Sequence, residues 1–218
     1  MYIDSNNKQR FIKELMSWFK KNKRSYPWRR TANPYHILIA ESLLLQTSAD
    51  RVKPVYKSVI KRYPDPTSLA NADLLTLEEM IKPLGLKYRA GVMIGVAKKI
   101  IDDFYGNVPN NLKDLLSISG IGYYIAAAIL CFGFNYTHSV VDTNVVRVLN
   151  RLFKIDNSRP DWIRIEMYRF AQQFVDDEDP KDYNWAILDF GALVCKAKFP
   201  NCGNCPFSGF CLYENKTN

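Results

Sequence analysis

Four cysteines close to the C-terminus, Cys195, Cys202, Cys205 and Cys211, follow the pattern C-x6-C-x2-C-x5-C and leave one other cysteine in the chain, Cys131. Four thiolates within 17 residues, with Pro206 and Gly209 to turn the chain between them, are suited to converge on a [4Fe–4S] cube or on one tetrahedral Zn²⁺. All-thiolate sites serve both metals, so the residues alone leave that choice open. Disulfides are the other use of such a quartet. They are disfavoured because Met1 to Arg30 is polar and charged, without the apolar centre of a secretion signal, and the thiols are expected to be kept reduced. Cys131 lies in an apolar run and reads as core.

A second constellation is spread over the middle of the chain. The segment NLKDLLSISGIGYYIAAAIL, starting at Asn111, reads as an apolar helix that breaks at Gly120-Ile121-Gly122 and restarts as a small-residue helix. Two glycines around one apolar residue let the backbone reverse tightly and expose N–H groups at the start of the second helix, a corner suited to a phosphate or to plain helix packing. Asp142 stands immediately before TNVVRVL, a run with a helical apolar face. It is an N-cap candidate whose carboxylate the helix dipole stabilises. Glu41 lies in ILIAESLLL between Ile37 and Leu45, each one helical turn away. A carboxyl facing an apolar wall is expected to have a raised pKa and to serve as a proton donor; the alternative is a partly exposed helix residue.

The elements that must position these groups are helical. Residues 9–20 place Phe11, Ile12, Leu15, Met16 and Phe19 at helical spacing, and residues 164–175 do the same with Ile165, Tyr168, Phe170, Ala171 and Phe174. No alternating strand pattern and no repeat of solenoid length is present, and proline and glycine divide the chain into about ten helices. The predicted fold class is all-α. With 218 residues, 47% of them hydrophobic, the chain can bury a substantial core. No apolar stretch is long enough to span a bilayer, and a cytoplasmic protein is expected. Thirty Lys and Arg against 22 Asp and Glu give a net charge of +8, clustered at Lys20 to Arg24, Arg29 with Arg30, Lys98 with Lys99, and Arg147 with Arg151. Such an excess favours a polyanionic partner, nucleic acid first.

Taken together, the hairpin, the downstream aspartate and the cysteine quartet resemble the helix-hairpin-helix DNA glycosylase superfamily, which includes endonuclease III, the A/G-mismatch adenine glycosylases and the archaeal-type G/T-mismatch thymine glycosylases. The matching stretches are Leu116 to Ala126, Val141-Asp142-Thr143-Asn144 and the quartet, joined by Ser25-Tyr26-Pro27-Trp28-Arg29, Pro34-Tyr35 to Thr47, and Asn184 to Cys211. The likeness therefore covers nearly the whole chain. It implies a two-lobed architecture, with a six-helix barrel at residues 28–134 carrying the hairpin, and a cluster lobe made of residues 1–27 and 135–218. It also implies a [4Fe–4S] cluster on the four cysteines and a monomer that binds double-stranded DNA containing a mismatched or damaged base. If the source is prokaryotic, the protein would be nucleoid-associated.

The resemblance further implies a role for each site residue. The hairpin residues Gly120, Ile121, Gly122 and Tyr123 would anchor a phosphate, with a monovalent cation bridging, while Gln46 would fill the vacated stack and Arg29, Lys196 and Lys198 would contact the backbone. Base removal requires extrusion of the nucleotide and builds positive charge at the anomeric carbon. Asp142 would stabilise that charge, Asn144 would orient the carboxylate or the water, and Glu41 would protonate the leaving base. Where endonuclease III has a Schiff-base lysine this chain has Tyr124, and no lysine lies between Lys113 and Lys154. A monofunctional glycosylase without strand cleavage is expected, with Tyr124 packed against the flipped nucleotide. The seven residues after Cys211 leave no space for the extra domain of adenine glycosylases, which favours thymine or uracil opposite guanine; Gln46, in contrast, is adenine-glycosylase-like. The loop Leu84 to Ala90 is about one residue shorter than in the relatives. Four readings therefore stand: a thymine or uracil glycosylase, an adenine glycosylase, a non-catalytic iron–sulfur DNA-binding module, and a zinc-stapled helical protein that binds nucleic acid.

Overall fold

The computed structural model describes residues 3–85, 87–155, 160–175, 178–214 and 216. Leu86 and the side chain of Ile165 lie outside the described residues. Among the described residues the protein is all-α, with eleven α-helices and no strand. The chain forms two compact units: residues 25–136, and a second unit assembled from residues 1–24 and 137–218. No helix among the described residues is long and apolar enough to cross a membrane.

The 25–136 unit opens with a 3-10 turn at Pro27–Arg30 and holds α2 (Pro34–Leu44), α3 (Ala49–Arg62), α4 (Pro66–Ala70), α5 (Leu74–Ile81), α6 (Arg89–Phe104), α7 (Leu112–Ser117) and α8 (Tyr123–Ala128). A π-turn, Ile129–Gly133, continues α8. Asn33 caps α2 by accepting from the Tyr35 and His36 amides, and Pro34 fills the first helical position, where no N–H is needed. From Ile37 to Leu43 every residue of α2 except Ser42 is buried, as expected of a helix that is apolar all round and sits inside its unit. Gly133 lets the π-turn approach this helix, since a Cβ there would stand 3.1 Å from the Pro34 Cα. Glu41 is therefore carried by the central helix of its unit.

The discontinuous unit contains α1 (Ser5–Asn22), α9 (Thr143–Phe153), α10 (Pro160–Val175) and α11 (Pro180–Leu193). Phe11, Leu15 and Phe19, the apolar face read from the sequence, enter a core shared with Phe174, Tyr183 and Phe190. Phe207, from between two cysteines of the quartet, is fully buried and meets Phe190 edge-on at 4.9 Å. Its ring anchors the cysteine segment to the core. At the end of α1 the Arg24 backbone N–H and Nε donate to the wholly buried Asp189 on α11, the Nε bond being 2.6 Å. The extended segment before α9 pairs with side chains rather than with a strand. Asn184 accepts from the Val140 amide and donates to the His138 carbonyl, and Gln172 accepts from the Ser139 amide.

The Tyr183 hydroxyl is buried and has no hydrogen-bond partner among the described residues. A buried hydroxyl without a partner forfeits its hydration, so Tyr183→Phe is expected to stabilise the protein by about 1 kcal/mol. Thermal denaturation checks this, with a rise of roughly 2 to 4 °C expected for a chain of this size.

Candidate active site

In the 25–136 unit, α2 and α8 bring Glu41 and Tyr124 together. Glu41 is 4% exposed, and the Tyr124 hydroxyl donates to its Oε2 at 2.8 Å. A buried carboxyl requires such a partner, and the phenol supplies one without adding charge. The interaction joins residues 83 positions apart.

Beyond α2 the chain turns through Leu45, Gln46 and Thr47. Gln46 is exposed and left-handed, with φ +56°, a region that residues with side chains seldom occupy. The turn is held from below by Arg89, 5% exposed at the start of α6, whose guanidinium donates to the carbonyls of Leu43 and Leu45 and to the Thr47 hydroxyl. A cation at a helix C-terminus satisfies carbonyls that lack intrahelical partners. Arg29 packs its guanidinium over the Tyr26 ring at 5.5 Å.

The α7–α8 hairpin turns at Gly120, where glycine is required twice over. Its φ is +100°, and a Cβ there would stand 2.7 Å from a Val92 methyl on α6. Gly122 differs: its φ of −86° is ordinary and a Cβ would meet nothing within 4 Å. Its lack of a side chain keeps the outer surface of the turn open. The Ile121 amide donates to the Ile118 carbonyl at 3.0 Å and its side chain is buried. That amide is spent on closing the hairpin itself. Gly122, Tyr123 and Tyr124 lie where α8 begins.

In the discontinuous unit Asp142 is the N-cap of α9, accepting from the Val145 amide at 2.8 Å and from Asn144 Nδ2 at 2.6 Å. Desolvation raises its pKa above the usual aspartate value, and the two hydrogen bonds and the Arg147 charge hold that rise in check. Asn144 Oδ1 accepts from Arg147 at 2.7 Å, so this amide has one orientation that satisfies both neighbours. Arg147 also donates to the carbonyls of Cys195 and Gly191, each at 2.8 Å. Gly191 admits the contact, because a Cβ there would stand 2.8 Å from the Asn144 Cβ. A continuous chain of hydrogen bonds thus runs from the first cysteine of the quartet to the Asp142 carboxylate.

The four quartet cysteines line one cavity, together with Arg151 and Phe190. Burial raises the pKa of Cys205 to about 11, and the charges of the other three cysteines add to the rise. Burial likewise raises Cys211. Among the described residues no group of three or more His, Cys, Asp or Glu is arranged to hold a metal ion. Lys196 and Lys198 are exposed in the loop that follows Cys195.

A family profile described as HhH-GPD superfamily base excision DNA repair protein matches residues 39–172. The chain belongs to this superfamily. Among HhH-GPD proteins it is 32% identical, over 98% of both chains, to a thymine/uracil-DNA glycosylase of Methanothermobacter thermautotrophicus. It is 34% identical to an adenine DNA glycosylase of Mycolicibacterium smegmatis, over 89% of this chain and 67% of that one. The solved structure of a thermostable thymine-DNA glycosylase superposes with a TM-score of 0.89 at 32% identity, covering 98% of this chain and all of the other.

Three residues of this HhH-GPD chain escape a sequence reading: Arg147, Arg89, and Tyr124 as a partner of Glu41. Arg147 is visible in sequence as a basic residue one turn into an amphipathic helix, yet its targets are main-chain carbonyls 44 and 48 residues away. Arg89 had a readable signal. It shares a helical face with Met93, Val96 and Ile100, all buried, and a cation on an apolar face calls for a built partner.

Replacing Arg147 by Met should act through Asp142. Loss of its charge removes one of the influences that lower the Asp142 pKa, so the group ionises at higher pH. If base excision needs the carboxylate, the acid limb of the single-turnover rate–pH profile moves upward, and the plateau falls roughly tenfold to a hundredfold through lost alignment. An unmoved limb would separate Arg147 from Asp142.

Proposed function

We propose that this protein is a monofunctional DNA N-glycosylase that flips and removes thymine or uracil mispaired with guanine. The end-to-end similarity to thymine/uracil-DNA glycosylases supports this reading, and the observation that carries the chemistry is the phenol of Tyr124, engaged with Glu41 in a motif without an amine. Without an amine nucleophile no Schiff base forms, and the product is an intact strand with an abasic site.

In this reading the C1′–N1 bond breaks with its electron pair leaving on the base, whose developing negative charge Glu41 meets with a proton or hydrogen bond. The positive charge left on the sugar faces the ionised Asp142. Water then adds through oxygen to C1′ and gives up a proton to Asp142. Asn144 fixes the direction of that carboxylate. Tyr124, bonded to Glu41, sets the rotamer of the acid and borders the extruded nucleotide. Gly120, Gly122 and Tyr123 shape the corner that anchors a phosphate, with a monovalent cation there. Gln46, on its left-handed turn, enters the vacated stack, and Arg29, Lys196 and Lys198 contact the backbone. Residues 28–134 are assigned as the barrel domain, and residues 1–27 and 135–218 as the cluster domain.

The quartet fits a [4Fe–4S] cluster. Four cysteines lining one cavity supply the all-thiolate ligand set that such a cluster takes. Cys195, Cys202, Cys205 and Cys211 would hold it, and when bound it would fix the loop whose Cys195 carbonyl receives Arg147.

Single-turnover assays on duplexes carrying G/T, G/U, A/G and A/8-oxoguanine test the proposal. Release of thymine and uracil opposite guanine is expected, with strand cutting only after alkali. Release of adenine alone would move the protein to the adenine branch. Asp142→Asn should retain DNA binding and lose base release roughly a hundredfold to a thousandfold. Binding to duplex DNA should weaken about a thousandfold between about 50 and 200 mM salt if about six phosphates are neutralised; a flat response would refute a phosphate-dominated interface. Anaerobically purified protein should be brown with iron–sulfur absorption, and stoichiometric zinc in its place would exclude the cluster.

A further inference from the structure

The turn that carries Gln46 is a type II β-turn. Leu45 has φ −52° and ψ 119°, Gln46 follows with φ +56°, and the Thr47 amide donates to the Leu44 carbonyl at 3.0 Å. The third residue of such a turn has a positive φ and is ordinarily glycine or asparagine. Glutamine suits a type I turn instead, whose third residue has a negative φ. The two forms share their ends and their closing hydrogen bond, and differ by a flip of the peptide between the central residues. Here the carbonyl of that peptide belongs to Leu45.

Arg89 holds this carbonyl. Its guanidinium, buried at the start of α6, donates to the carbonyls of Leu43 and Leu45 and to the Thr47 hydroxyl. The Leu43 and Thr47 contacts lie on either side of Leu45 along the chain, so the cation is fixed at both flanks and its grip on Leu45 sets the flip. Burial leaves Arg89 Nε without a hydrogen-bond partner among the described residues, a cost that a space-filling side chain would not carry. A second arginine braces the turn from the opposite direction. Arg51 lies on α3, which follows the Gln46 turn, and donates to the Pro83 carbonyl at 2.5 Å in the turn that leads to Arg89. Each turn is thus tied down by the arginine that stands just after the other.

We propose that Arg89, braced by Arg51, is the positioning residue that selects the type II form and so aims the exposed Gln46 at the stack vacated by the extruded nucleotide. Released from Arg89, the turn relaxes toward type I, the Gln46 side chain leaves on a different bearing, and insertion must first reverse the flip. The effect falls on extrusion, before any bond is broken.

The inference rests on the proposed insertion of Gln46, and the test separates the two. A 2-aminopurine beside the mismatched base reports extrusion as a rise in fluorescence, followed by stopped flow on G/T and A/G duplexes. The proteins are the parent, Gln46→Ala, Arg89→Lys, Arg51→Met, and each arginine substitution in the Gln46→Ala background. Lysine keeps the charge but lacks the fork that reaches several acceptors. Arg89→Lys is expected to lower the extrusion equilibrium about tenfold and Arg51→Met about threefold through lost preorganisation, with binding to matched duplex within about twofold of the parent. In the Gln46→Ala background each should change extrusion by less than about twofold, because the side chain being aimed is gone, whereas a general loss of stability would act equally in both backgrounds. Equal losses in the two backgrounds, or losses below about twofold in the parent, overturn the inference. If Arg89→Lys does not fold, the exposed Arg51 supplies the same comparison. A Gln46→Ala protein that extrudes like the parent, or a parent that gives no fluorescence rise on either duplex, overturns the reading of Gln46 beneath it.

Discussion

Much of the water has been removed from the Asp142 carboxylate, and in the proposed reaction it must keep its charge there. Desolvation pushes its pKa up, whereas the proposed stabilisation of a cationic sugar needs the anion. The balance comes from groups fixed in place: two donors, the Val145 amide at the start of α9 and the Asn144 amide, and the charge of Arg147 one turn further on. Each of the three is also engaged elsewhere. Val145 belongs to the helix, Asn144 is oriented by Arg147, and Arg147 is spread over two carbonyls, one in the last turn of α11 and one just past it. The carboxylate is therefore aligned by the packing of α9 on the end of α11, and the conformation of the cysteine segment bears on a group it never touches.

The segment leading into Asp142 follows the same logic. An extended stretch inside an all-helical unit has no neighbouring strand to receive its amides, and unpaired buried amides are costly. Asn184 and Gln172 substitute for that strand, accepting from Val140 and Ser139 and donating to the carbonyls of His138 and Thr137. Side-chain amides suit this use because each presents a donor and an acceptor together. The helices α10 and α11 thus supply, through two side chains, what a β-ladder would supply through backbone.

Much of this organisation was readable beforehand, and the boundary of what was readable has a physical basis. The apolar face of α1, the capping role of Asp142, the burial of Glu41 and the turn at Gly120 depend on local periodicity or local backbone geometry, which the sequence carries openly. The two glycines of the hairpin look equivalent in sequence. They differ in structure because Val92, from another helix, crowds one and not the other. The pairing of Tyr124 with Glu41 and the reach of Arg147 to Cys195 depend on which elements meet in three dimensions, information that no window of sequence contains. Tyr124 signalled the lack of an amine but not its own partner.

The discontinuous unit has a consequence for the order in which the chain is built. The face of α1 that carries Phe11, Leu15 and Phe19 finds its core partners on α9, α10 and α11, all made more than a hundred residues later. At ribosomal rates of roughly 5 to 20 residues per second, that face waits on the order of ten seconds for a surface to cover it. The 25–136 unit, continuous in sequence, has no comparable delay. Nascent chains therefore pass through a stage in which one unit has all its residues while an amphipathic helix is without its core, the kind of exposed surface on which chaperones act. Residues from Phe190 to Cys211 close both the aromatic core and the cysteine cavity, so the cavity forms at the same late stage at which the first helix is covered.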